Sequence, residues 1–137
     1  MAVAKWATPG TETSIAGTAL NGLASGSTAA RMGYDNSTNL DLYARVTVAL
    51  GSITPATGAS VTLRYIGTRS GTAEDVTVGL ESYTALIATG TAAKQIIFEM
   101  VRLYPFADGF VLVNNTGVAL ASSGNAIYVQ PFNESVA

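Results

Sequence analysis

The chain has 137 residues, no cysteine, no histidine and a formal net charge of −2. This composition excludes disulfide and thiolate chemistry, rules out Ser-His-Asp and Cys-His sites within one chain, and offers no basic footprint for nucleic acid. Only 12% of residues are charged, about half the usual share of roughly 25%, so Thr, Ser, Asn, Gly and Ala must cover the surface.

A surface of that kind suits close contact with other proteins. The length predicts one domain with a core large enough to need no staples. The apolar runs Ile96 to Phe98 and Phe110 to Val113 are far too short to span a bilayer, so no membrane partner is expected. Met1 to Lys5 lacks the basic start and long apolar run of a signal peptide. The expectation is a product made inside a cell and then built into something.

Residues 1–14 carry Pro9 and Gly10 and show no periodicity, which predicts an extended N-terminal arm ahead of a single β-sandwich domain at 15–137. Trp6 is the arm's one large apolar group. It either tucks back onto its own domain or anchors in a neighbour. From Ile15 to Arg31, Ala and Leu favour helix, but Gly17, Gly22 and Gly26 each cost a helix roughly 1 kcal/mol. One or two short strands with a turn near Ser25-Gly26 are expected instead.

Asp35 to Asn39 reads as a polar loop. Leu40 to Leu50 then alternates strictly, with Leu40, Leu42, Ala44, Val46, Val48 and Leu50 on one face and Tyr43, Arg45 and Thr47 on the other. That pattern predicts a strand with one buried side. A loop at Ser52 to Ser60 precedes a second alternating strand, Val61 to Thr68, with Val61, Leu63 and Tyr65 inward and Thr62 and Arg64 outward. Val76 to Leu80 predicts a short strand and Ser82 to Ala93 a loop. Gln95 to Tyr104 is β-branched and aromatic and is followed by Pro105, so it predicts a strand rather than a helix. In that strand Phe98 and Met100 face in, Glu99 faces out, and Arg102 falls awkwardly on the inward set. Asp108-Gly109 predicts a hairpin turn. Strands follow at Phe110 to Asn114 and Ala126 to Phe132, with Gly117 to Ala121 a short strand or an extended turn. The whole is all-β: a jelly-roll-like β-sandwich of about 7–9 strands.

The candidate chemistry is thin. Asp35, Ser37, Asn39 and Asp41 have oxygens at the alternate positions of a calcium loop, but Leu40 stands where Gly is needed and Val46 where Glu is needed, so a turn feeding a strand is the better reading. Glu74-Asp75 point to opposite faces in any strand and read as solvated turn charges. The acceptor patterns at Asn36, Asn114 and Asn133 fit chance in a chain rich in Ser and Thr. The knot Asn114-Asn115-Thr116-Gly117 reads as the end of one strand and a kink into the next. No catalytic, metal or cofactor residue is assigned, and the chain is not expected to be an enzyme.

Two segments carry a resemblance. One is NSTNLDLYA from Asn36 to Ala44, followed by an alternating strand and LGSITP from Leu50 to Pro55. The other is VLVNNTGVALASSGN from Val111 to Asn125, followed by YVQPFNE from Tyr128 to Glu134. Over most of residues 19–134 the chain resembles small structural proteins of tailed bacteriophages, of the capsid decoration, or cement, type. The resemblance implies β-sandwich subunits, often dimers or trimers, seated on the outside of the major capsid protein shell. Residues 66–93 depart from a receptor-binding pattern, having no long loop for an exposed tip, and the arm matches nothing in the family. Contact with the shell or a neighbouring subunit is expected from Lys5 and Trp6 on the arm and from outward strand residues Tyr43, Arg45 and Arg64. The rival expectations are a carbohydrate-binding or host-attachment module, with Tyr43 and Tyr128 as a stacking platform, and a tail or neck ring component.

Overall fold

The computed structural model describes residues 3–69, 73–74 and 81–136. The expected strand at Val76 to Leu80 and the Asp75 half of the carboxylate pair lie outside them. In chain order the strands are β1 (Ala4–Trp6), β2 (Thr13–Ser14), β3 (Met32–Asp35), β4 (Tyr43–Leu50), β5 (Ser60–Ile66), β6 (Thr68–Arg69), β7 (Ala73–Glu74), β8 (Glu81–Leu86), β9 (Lys94–Arg102), β10 (Ala107–Asn115), β11 (Ala126–Phe132) and β12 (Glu134–Val136). No helix occurs among the described residues.

Eight of these strands form two four-stranded antiparallel sheets, one ordered β3-β10-β5-β8 and the other β2-β11-β4-β9. The partners nest: β2 with β11, β3 with β10, β4 with β9, β5 with β8. This is the arrangement of a two-layered antiparallel β-sandwich.

Period-2 patterning builds the interior. Ala44, Val46, Val48 and Leu50 from β4, with Ile96, Val101, Ile127 and Val129 beside them, meet Val61, Leu63, Tyr65, Phe110 and Leu112 of the other sheet in one core. Tyr65 and Phe110 sit edge to face, with ring centroids 4.9 Å apart, at its centre.

Several expectations need correction. Residues 15–31 form turns, not strands, apart from one bridge at Thr28. Gly17, Gly22 and Gly26 all take positive φ there, while Leu20 plugs the core. Leu40 and Leu42 are exposed rather than inward, because β4 begins only at Tyr43. Residues 81–86 are strand β8, not loop, with Glu81, Tyr83 and Ala85 on its half-buried face. Asp108-Gly109 lies inside β10, not in a turn. Glycine is needed there because a Cβ would stand 2.7 Å from the Met32 carbonyl and 2.9 Å from the Arg31 Nε.

The N-terminal segment, expected as an extended arm, runs extended along its own domain. β1 pairs with β12 and β2 with β11, and Ala7 and Gly10 donate N–H bonds to Asn133 and Pro131. It lies along the chain's own C-terminal strands and covers an edge that would otherwise be open to pairing.

Candidate interaction face

The outer face of the β2-β11-β4-β9 sheet gathers three of the five expected contact residues. Its geometry starts from a β-bulge. Ala44 pairs with Val101 and Val46 with Phe98, so Arg45 opposes both Glu99 and Met100. The extra residue resets the alternation. Phe98 and Val101 point in, while Glu99 and Met100 both point out, and Arg102 is returned to solvent. The inward placement of Met100 is thereby corrected: it is 51% exposed.

Arg45 answers the bulge directly. Its Nε and one terminal nitrogen each lie 2.9 Å from Glu99 Oε2. The pair is well exposed, so its value to folding is small, ~0–1 kcal/mol. It leaves one positive and one negative group side by side on the face.

Around that pair the face is apolar. Tyr43 and Phe132 are cross-strand partners, stacked with centroids 5.5 Å apart. Trp6 stands edge-on to both, 6.2 Å from Tyr43 and 5.5 Å from Phe132, yet remains 56% exposed. Ile97 opposes Thr47 and is also exposed. Trp6, Ala7 and Pro9 make one wall of a groove of about 440 Å³, the bulge makes the other, and Gln130 and Phe132 are among its lining residues.

The other two expected residues do not converge there. Lys5 lies on β1 opposite Ser135, beside Glu134 and exposed. Arg64 projects from the outer face of the opposite sheet, between Val111 and Ser82. Met100, Ile97, Gln130 and Phe132 were missed as face residues. The one signal for Met100 was the conflict in β9, where strict alternation would have forced Arg102 into the core.

The polar clusters serve the fold. Asn114 is fully buried: its Nδ2 donates to the Leu23 and Val118 carbonyls, both at 2.9 Å, and its Oδ1 accepts from the Thr116 N–H at 3.0 Å. Asn36, also buried, donates to the carbonyls of Asp41 and Tyr104 and accepts from the Asp41 N–H. Asn133 bridges the Leu42 N–H and Asp41 Oδ1. All three acceptor-pattern asparagines are thus occupied as backbone staples. Glu81 accepts from the Tyr83 hydroxyl at 2.5 Å and the Tyr104 hydroxyl at 3.1 Å. Burial first, and that bond second, push Tyr83 up to about 12. Among the described residues no group of three or more acidic side chains is placed to hold a metal ion.

Comparison of the chain with family models, with curated proteins and with solved structures gave no match in any of the three.

Proposed function

We propose that the chain is a bacteriophage capsid decoration protein, and that the outer face of the β2-β11-β4-β9 sheet is the surface that meets the major capsid protein. The observation that carries this reading is the grouping of Trp6, Met100, Ile97 and Phe132 around one exposed ion pair. Exposed apolar groups gathered on one face mark interaction sites, and aromatic anchors dominate their energetics. The resemblance in Asn36 to Pro55 and Val111 to Glu134 supplies the partner class.

The mechanism is clamping. A dimer or trimer spans neighbouring capsid subunits, buries low-charge surface against them and opposes their separation. Each contact is modest, but many copies at fixed geometry act together through avidity. No covalent step is involved.

The test is shell durability. Expanded shells of the phage that encodes the chain, incubated with the purified protein, should resist heat or low ionic strength better than bare shells. Trp6→Ala and Met100→Asp proteins should protect less. Equal disruption of decorated and bare shells would overturn the clamp.

A further inference from the structure

A second concavity lies away from that face. β2 and β3 are the edge strands of the two sheets on the same side of the sandwich. Between them opens a cleft of about 660 Å³. Its polar lining comes from Thr11, Thr13, Tyr34, Asp35, Asn39 and Asp41. That volume lies within the range of about 300–1,000 Å³ found for small-ligand sites.

We propose that this cleft binds a neutral oligosaccharide, through hydroxyl, amide and carboxylate groups that the fold holds in place. The chemistry selects that class. No Lys or Arg is among the lining residues, and two carboxylates are, so phosphate and acidic sugars are disfavoured. Hydroxyls and an amide both donate and accept, as sugar hydroxyls require, and carboxylate oxygens accept strongly from them.

The carboxylates are held in place, and only partly used. Asp35 Oδ1 takes the Ser37 N–H and hydroxyl, at 2.9 and 2.6 Å. Asp41 Oδ1 takes the Asn133 amide at 2.8 Å. Each keeps its second oxygen clear of hydrogen bonds among the described residues. The loop between them is fixed by Asn36, which grips Asp41 at both its N–H and its carbonyl. It also contains Leu40 at φ 56°, the one positive-φ non-glycine residue among those described. A leucine in that region is strained by roughly 1–2 kcal/mol, and such strain gathers at functional sites.

Binding rather than cleavage is the expected activity. Hydrolysis needs one carboxyl that stays protonated near neutral pH. The Ser37 hydrogen bonds instead hold Asp35 below its ordinary value, so Asp35 does not supply that acid.

The test uses the full chain against immobilised neutral trisaccharides of gluco, manno and galacto configuration. Saturable binding of at least one is expected. It should fall at least tenfold in Asn39→Ala and in Asp35→Ala, both at exposed positions, and stay unchanged in Leu86→Ser on the distant β8 strand. No release of reducing sugar should accompany it. Thermal melting of each variant separates lost binding from lost fold. Failure of all three sugars to bind would overturn the proposal. So would binding insensitive to both cleft variants, or retention of calcium or a basic peptide alone. Shell binding is a separate property, so neither result bears on it.

Discussion

At the residue scale, buried asparagine stands out as the device that holds this low-charge chain together. Asn114 bonds two carbonyls and an N–H in a place water does not reach, and the nearly fully buried Asn125 accepts from the Gly51 N–H while donating to Asn21 Oδ1 and the Ala121 carbonyl. Removing such a side chain leaves buried polar groups unpaired, at about 1–3 kcal/mol for each group left unsatisfied. Asn114→Ala should therefore cost about 3 kcal/mol in urea unfolding, far more than Asn115→Ala on the exposed neighbour. Gly117 has φ 82°, and a Cβ there would stand 2.6 Å from that of Ala56, so Gly117→Ala should also destabilise, by at least ~1–2 kcal/mol. The knot was legible as structural because Asn and Gly suit a bend. Its carbonyl partners were not, because Leu23 lies far off in sequence.

The same scale sets the behaviour at high pH. Tyr83 ordinarily loses its proton near 10 and in the fold holds it to about 12, chiefly because of burial. Burial also pushes Tyr65 well above its ordinary value. A group whose folded pKa is raised keeps its proton where the unfolded chain releases it, so its contribution is complete below the unfolded value and lost above it. Stability should be flat up to about pH 10 and fall as pH rises toward about 12. Phenolate absorbance of Tyr65 and Tyr83 should then appear together with loss of the circular dichroism of the sheets. In Tyr83→Phe the fall should be shallower.

At the element scale, β9 shows why alternation alone is an incomplete guide. Its β-branched and aromatic residues identify a strand correctly, but one inserted residue flips every side chain beyond it. Deleting Met100 would remove the bulge and restore regular alternation, with Glu99 out, Val101 in and Arg102 out, so we expect that protein to fold and to lose only the exposed thioether from the face. Glu99→Ala breaks only the exposed pair with Arg45 and should cost less than ~1 kcal/mol in the same assay. β4, β5 and β11 were legible because their inward sets are unbroken. β8 was hidden by Leu86, a large apolar group that faces solvent. β10 was shortened because Asp-Gly usually turns a chain, whereas here Gly109 makes room for Arg31, which donates to the Ala107 and Asp108 carbonyls at 3.0 and 2.9 Å. Gly109→Ala should thus loosen β3 against β10, costing roughly 2–4 kcal/mol by overpacking and lost pairing.

At the scale of the whole molecule, the two layers divide the labour. The interior fixes a rigid sandwich, and the terminal segments close an edge against unwanted pairing. One outer face is then left with Trp6, Met100, Ile97 and Phe132 in reach of a partner. Outward parity placed Tyr43 and Arg45 on that face, as the burial of β4 shows. The face as a unit was not legible, because it depends on the bulge and on Trp6 folding back over Tyr43 and Phe132. The measurement that tests the proposed decoration role most directly is co-sedimentation of the purified chain with expanded and unexpanded shells of its proposed parent phage. Saturation at a fixed ratio to the major capsid protein is the predicted result, lost in an Ile97→Asp, Met100→Asp double variant that still melts cooperatively. Absence of binding to both kinds of shell, or full binding by the double variant, would contradict it.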